Sequence, residues 1–151
     1  MSTILTLDLT EATKVDPCKH ITHLNSKKVK FESNDCKGYS EIMFHQFTIP
    51  ETATFLLFDI KTKFNGGNPK LGNVNVGIQP PPGESSFFRI VQGSFKGTLA
   101  LDLATVSGEV PWLGIGFPGG VFGAEEFIAT VSKLRFVDDT TVPDEYLRDV
   151  P

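Results

Sequence analysis

Hard oxygen ligands are the first chemistry the residue types offer. Glu32, Asp35 and Glu41 flank one Gly-containing turn, and Asp138 with Asp139 follows the last long apolar run. Calcium takes six to eight oxygens, usually carboxylates joined by backbone carbonyls from separate loops. A calcium ion held by Glu32, Asp35, Glu41 and Asp138 is therefore the metal site the sequence favours, with a solvated acidic turn as the alternative. It requires the terminal strands to pair, so that Asp138 can approach the turn. A second set, Cys18, His20, His23 and Cys36, has the ligand types of tetrahedral zinc. Its spacing fits no standard finger, because the Cys-x-His pair is tight and the second cysteine stands alone. Two surface histidines in a polar loop are the simpler reading. The two cysteines are the whole thiol inventory, and both a disulfide and a pair of reduced thiols fit the sequence.

Gly114-Ile-Gly116-Phe-Pro-Gly119 satisfies the pattern G-x-G-x-x-G. A dinucleotide fingerprint needs a helix after it, whose N-terminus receives the pyrophosphate. Here Pro118 and Gly119-Gly120 lead into another strand. The small residues alternating with Leu113, Ile115 and Phe117 instead describe a strand with one stripped face. No serine sits in a nucleophile elbow and no histidine stands in a nucleophile context. Glu125 and Glu126 are adjacent, and adjacent side chains on a strand point apart. The expectation is a protein that is not an enzyme.

The elements that must position these residues are strands. From Ser40 to Val137 the chain reads as short alternating segments broken by Gly, Pro or Asn, the pattern of an antiparallel sandwich or barrel. Strands are expected over 3–9, 28–33, 41–49, 52–63, 73–79, 87–92, 98–103, 112–117 and 127–137. That is about nine strands and no convincing helix. Glu11–Ser26 reads as polar and irregular, and Pro50-Glu51 as a tight reversal between two long strands. Phe31, Phe44, Leu56, Phe58, Val76, Leu101, Ile115 and Phe136 are expected in the core. Residues 1–139 form one domain. Residues 140–151 are an acidic, Pro-bounded tail or linker, with room for one helical turn at Pro143–Leu147.

Composition narrows the partners. The chain has 151 residues, 40% hydrophobic and 21% charged, enough for one domain with a proper core. Its net charge of −4 argues against a nucleic-acid partner. Lys27, Lys28 and Lys30 form the only basic cluster along the sequence and read as a solvated turn. No apolar run approaches the roughly 18 residues of a membrane helix, so membrane insertion is not expected. The first residues carry neither a positive n-region nor a cleavage site, so no signal peptide is expected in this chain.

Three stretches carry a resemblance. Phe44–Phe64 looks like the central strands of galactose-binding-domain-like jelly rolls, and so does the ending from Ile128 to Asp139. Phe31-Glu32 resembles the strand start of several such modules. Lys133 stands where the last strand of that superfamily carries an aspartate. The resemblance, to a superfamily that includes many carbohydrate-binding modules, implies an all-β antiparallel sandwich of jelly-roll type. It also implies a glycan or polysaccharide partner and an extracellular or surface setting.

Sugar recognition uses aromatic faces stacked on pyranose rings and planar polar side chains for hydroxyls. Trp112 and Tyr39 are the aromatics whose polar atoms tolerate half exposure. Asn65, Asn68, Asn73, Asn75, Gln79 and Arg89 are natural hydroxyl partners. The leading expectation is a lectin-like, non-catalytic carbohydrate-binding module. The alternative is a structural, adhesion or assembly domain that forms homo-oligomers through its sheet edges. Exposure discriminates between them, since a wholly buried Trp112 has no face to stack.

Overall fold

Alternating apolar residues build eleven strands in the computed structural model, which describes residues 3–36, 38–66, 72–79, 87–117, 126–148 and 150. They are β1 (Thr3–Thr6), β2 (Thr13–Val15), β3 (Ile21–Leu24), β4 (Lys28–Glu32), β5 (Ser40–Thr48), β6 (Phe55–Asn65), β7 (Asn73–Gln79), β8 (Phe87–Gln92), β9 (Phe95–Asp102), β10 (Glu109–Phe117) and β11 (Glu126–Val137). The helical pieces among the described residues are two 3-10 turns, Leu9–Glu11 and Asp144–Leu147. One sheet has the order β3-β4-β11-β6-β9, with β1 also on β11, and the other β2-β5-β10-β7-β8. All strand pairings among the described residues are antiparallel, and the two sheets pack face to face as a jelly-roll sandwich.

Between the sheets lies one large core. All eight expected core residues are in it, from Leu56, Phe58, Ile115 and Phe136 at 0% exposure to Phe44 at 9%. Phe31 stacks on Phe117 at 4.9 Å between ring centres and meets Phe127 at 5.9 Å, so three rings from three strands bind the sheets together. Truncating one such ring to Ala would cost about 3–5 kcal/mol. The first half of β6 is buried on both faces. Leu56, Phe58 and Ile60 enter the main core, while Phe55 and Leu57 form a smaller outer cluster with Ala100, Val137 and Val142. Tyr146 and Leu147 close that cluster, so the C-terminal segment packs on the outside of the six-stranded sheet. It ends at the sandwich edge, where Val150 bridges to Val91 in parallel.

Several local expectations are corrected. The strand expected over 3–9 is shorter: β1 stops at Thr6, and Leu5 is 39% exposed while Leu7 and Leu9 are buried. The pairing of β1 with β11 shifts register between Thr3 and Leu5, and Asp8 then caps a 3-10 turn through Thr10 N–H. The segment read as irregular contains β2 and β3. These are edge strands of three and four residues, too short to show alternation; β2 forms on the distant β5, and β3 on β4 across a short turn. Pro50-Glu51 is not a hairpin reversal. β5 and β6 lie in different sheets, so this link crosses the sandwich.

Candidate functional site

Cross-strand register assembles a three-by-three patch on the outer face of the five-stranded sheet. Trp112 of β10 stands between His45 of β5 and Gln79 of β7. Gly114 stands between Met43 and Gly77, and Gly116 between Glu41 and Asn75. The alternate residues Ile42, Phe44, Val76, Ile78, Leu113 and Ile115 point into the core, which directs these nine outward. Neighbours across the strands are about 4.8 Å apart, and rows about 6.8 Å apart along them. All but His45 and Gln79 line a depression of about 250 Å³.

Glycine makes the floor. A Cβ on Gly114 would strike the Ile42 carbonyl oxygen and come within 2.6 Å of Met43 Sδ. A Cβ on Gly116 would meet nothing within 4 Å. The middle strand is thus pressed closely against β5 at Gly114 and stands open above Gly116. Trp112 is half-buried and rises at one end of this floor. At the other end Asn75 Oδ1 is buried without a hydrogen-bond partner among the described residues. A buried amide oxygen left unpaired is costly.

The expected ligand-binding residues separate into two groups. Trp112, Asn73, Asn75 and Gln79 share this outer face, with Asn73 beyond Asn75 on β7. Tyr39, 53% exposed, immediately precedes β5 at the Glu41 end of the same sheet. Asn65 lies instead at the end of β6 beside Glu126, with Nδ2 at 3.4 Å from its Oε1. Arg89 Nε donates to the Ala100 carbonyl at 2.8 Å, tying β8 to β9 across the sandwich edge. Asn68 lies outside the described residues. The floor glycines, Met43, His45 and Glu41 were not singled out as ligand contacts. The stripped face of β10 was the one signal in the sequence that pointed to them.

The expected calcium tetrad does not converge. Glu32 ends β4 opposite Ile128, with Lys30 Nζ 3.6 Å from its Oε1. Asp35 is exposed in the loop beyond, and Glu41 faces outward on the other sheet. Asp138 follows Val137 at the far end of β11, about 30 Å along the strand from Ile128. The terminal strands do pair, but in an antiparallel register that carries Asp138 away from the turn. Among the described residues no group of three or more His, Cys, Asp or Glu is placed to hold a metal ion.

The zinc-type residues form a structural clasp. Cys18 and Cys36 are joined by a disulfide, with Cα atoms 5.5 Å apart, so neither offers the thiolate a metal requires. His20 is 2% exposed and packs on Phe31 at 4.9 Å, correcting its reading as a surface histidine; His23 is exposed. His20 Nε2 donates to the Cys36 carbonyl at 2.9 Å and approaches Asn34 Oδ1 at 3.0 Å. Asp16 Oδ1 accepts from Ser40 Oγ at 2.7 Å and from His20 N–H at 2.8 Å, and Oδ2 from Ile21 N–H at 2.9 Å. Burial by itself would raise the Asp16 pKa. The Ser40 hydroxyl, the two backbone N–H groups and the His20 charge outweigh it, so the carboxyl sits below its ordinary value of 3.8.

No family model matches the sequence, and no curated protein matches it significantly. Solved structures do align with it. A family 29 carbohydrate-binding module aligns over 84% of this chain and 86% of its own, at 14% identity and a TM-score of 0.46. A second variant of such a module, complexed with cellulohexaose, aligns over 80% of this chain and 90% of its own, at 14% identity and a TM-score of 0.39. An exo-β-agarase aligns over 97% of this chain at 11% identity and a TM-score of 0.51. This chain spans only 25% of that enzyme's chain. The likeness is one of fold, and the jelly-roll sandwich implied by the sequence resemblance is the fold observed.

Proposed function

We propose that this chain is a non-catalytic carbohydrate-binding domain that takes a neutral glycan on the outer face of its five-stranded sheet. The observation that carries this reading is the half-buried Trp112 bordering a depression whose floor is glycine, an aromatic face beside open space on a sheet surface. The indole supplies an apolar face for stacking on a pyranose ring, and Asn75 and Gln79 supply amides for its hydroxyls. Glu41 is the one charged residue lining the depression, so a carboxylate- or sulfate-bearing sugar would be repelled there. Half-exposure of Trp112 meets the condition that stacking sets.

The test is affinity electrophoresis in native gels containing hydroxyethyl cellulose, xylan, mannan or agarose, with a glycan array for breadth. Trp112 is the only tryptophan, so its emission reports directly on the depression. Expected are retardation by at least one neutral polysaccharide and a shift in Trp emission with the matching oligosaccharide. Trp112→Ala should abolish retardation, and Asn75→Ala should weaken binding about tenfold, the scale of a buried hydrogen bond. Absence of any neutral ligand at millimolar concentration would overturn the reading, as would full binding by Trp112→Ala.

A further inference from the structure

The outer face of the six-stranded sheet is divided. One half, around Phe55, Leu57, Ala100 and Val137, lies beneath Val142, Tyr146 and Leu147. The other half is open and cationic. Register builds a row running Lys30, Thr130, Lys61, Lys96 across β4, β11, β6 and β9. Lys28 and Lys63 stand in the rows on either side, opposite Ser132 and Ile128. Among the described residues three carboxylates share this half-face: Glu126, at its margin beyond Ile128, accepts from Asn65 Nδ2 at 3.4 Å, and the other two are held by cations. Glu32 lies 3.6 Å from Lys30, and Asp59 holds Arg135 at 3.3 Å and Lys133 at 3.9 Å. Lys61, Lys63 and Lys96 have no carboxylate partner among the described residues.

Lys61 and Lys96 are directly opposed on neighbouring antiparallel strands, a like-charge pairing that sheets disfavour. It occurs in a chain whose net charge is −4, so this half-face runs against the charge of the molecule as a whole. Two depressions of about 340 and 230 Å³ adjoin along the row and share Lys61 and Thr130. The hydroxyls of Thr98, Thr130 and Ser132 line the larger one.

We propose that this half-face is a second binding surface, separate from the glycine-floored depression, for an acidic polysaccharide bearing carboxylate or sulfate groups. The ammonium groups pair with the anions, and the interleaved hydroxyls bond to the sugar between them. Lys30 to Lys96 spans three strand spacings, about 14 Å, so the row engages a polymer rather than one small anion. The chemistry separates this ligand from other polyanions. A single-stranded nucleic acid calls for aromatic platforms to stack its bases, and the row has none. Binding at a membrane surface calls for apolar side chains to bury, and among the described residues the exposed large hydrophobics Ile4, Leu5, Tyr39 and Ile90 all lie elsewhere.

The experiment is affinity electrophoresis of the whole chain in native gels containing polygalacturonate, heparin or hydroxyethyl cellulose. Polygalacturonate and heparin distinguish carboxylate from sulfate as the recognised anion. Expected is retardation by at least one acidic polymer at about 20 mM salt, fading toward about 200 mM as counterion release predicts. Lys61→Glu with Lys96→Glu should weaken it at least tenfold, and Lys61→Gln with Lys96→Gln should do so without introducing new charge. Both pairs should melt like the parent. Trp112→Ala should retain acidic-polymer binding, so the two faces succeed or fail independently. Three results would each overturn the proposal: an unretarded parent, retardation unchanged in both double variants, or equally strong binding to oligo(dT) or to phosphatidylserine vesicles.

Discussion

Ser40 Oγ donates to Asp16 Oδ1 at 2.7 Å, and through this bond the first turn of β5 is tied to the loop that follows β2. The same carboxylate gathers the His20 and Ile21 N–H groups. His20 in turn reaches the Cys36 carbonyl, and Asn34 Nδ2 donates to the Cys18 carbonyl at 2.9 Å. One half-buried carboxylate therefore organises the segment that leads from β2 through the disulfide to the edge of the five-stranded sheet.

Asp16 sets an acid limit on stability. Its folded pKa is depressed, so its contribution is fully present above the unfolded-chain value near 4. That contribution is lost as pH falls through the lower folded value. Asp16→Asn should lower the melting temperature at pH 7, by about 1–3 kcal/mol in stability terms. It should also flatten the fall in melting temperature below about pH 4. Melting curves from pH 2 to 7 check both, and parallel curves for parent and variant would refute the assignment.

The disulfide should matter more than any single hydrogen bond around it. Closing a loop with a sequence separation of 18 residues stabilises by about 3 kcal/mol in the chain-entropy model. Dithiothreitol, or Cys18→Ser with Cys36→Ser, should lower the urea midpoint accordingly with little change in slope. An unchanged midpoint would mean that the Asp16 clasp holds the segment without the bridge.

The sheets were legible because alternation is local. Leu56, Phe58 and Ile60 on one side of β6, and Leu99 and Leu101 on β9, mark their buried face within a few residues. β2 and β3 escaped because strands of three and four residues exist only through pairing with β5 and β4. The candidate patch was half legible. Gly114 and Gly116 announced a stripped face beside Trp112, but the setting of Met43, Glu41 and Asn75 around it is a matter of register. The cationic row shows the same limit more sharply. Lys27, Lys28 and Lys30 cluster in sequence, whereas Lys30, Lys61 and Lys96 cluster only across four strands. Asp138 stands apart from the expected calcium ligands for a related reason: the site required the terminal strands to pair, and they do, but the direction of β11 along the sheet carries Asp138 away.

The C-terminal segment is part of the folded domain. Leu57 and Val137 are 0% exposed only because Val142, Tyr146 and Leu147 lie over them, and Arg148 sits 5.0 Å above the Phe95 ring. A chain ending at residue 139 would bare a contiguous apolar patch on the outer sheet face, a feature that promotes association. It should melt several degrees lower and bind a hydrophobic dye. Tyr146→Ala with Leu147→Ala should reproduce part of that loss. A truncated chain that melts like the parent and stays monomeric would contradict this account.

Gly114 and Gly116 should respond in opposite ways to one added methyl group, and together they test the site apart from the fold. At Gly114 the new Cβ meets the Ile42 carbonyl oxygen and Met43, backbone and side chain alike. Gly114→Ala should therefore destabilise by about 1–3 kcal/mol, the usual range for overpacking. At Gly116 the Cβ enters open space, and a strand glycine replaced by Ala gains about 0.5–1 kcal/mol from lost chain freedom. Gly116→Ala should thus melt at or above the parent temperature. Gly116→Val should fold as well, because a β-branched side chain suits a strand. Its added bulk would stand on the floor between Glu41 and Asn75, where the glycan is proposed to lie. Neutral-glycan binding should fall at least tenfold in Gly116→Val while its melting curve holds. A Gly116→Val protein that folds and binds like the parent would move the glycan off this face altogether.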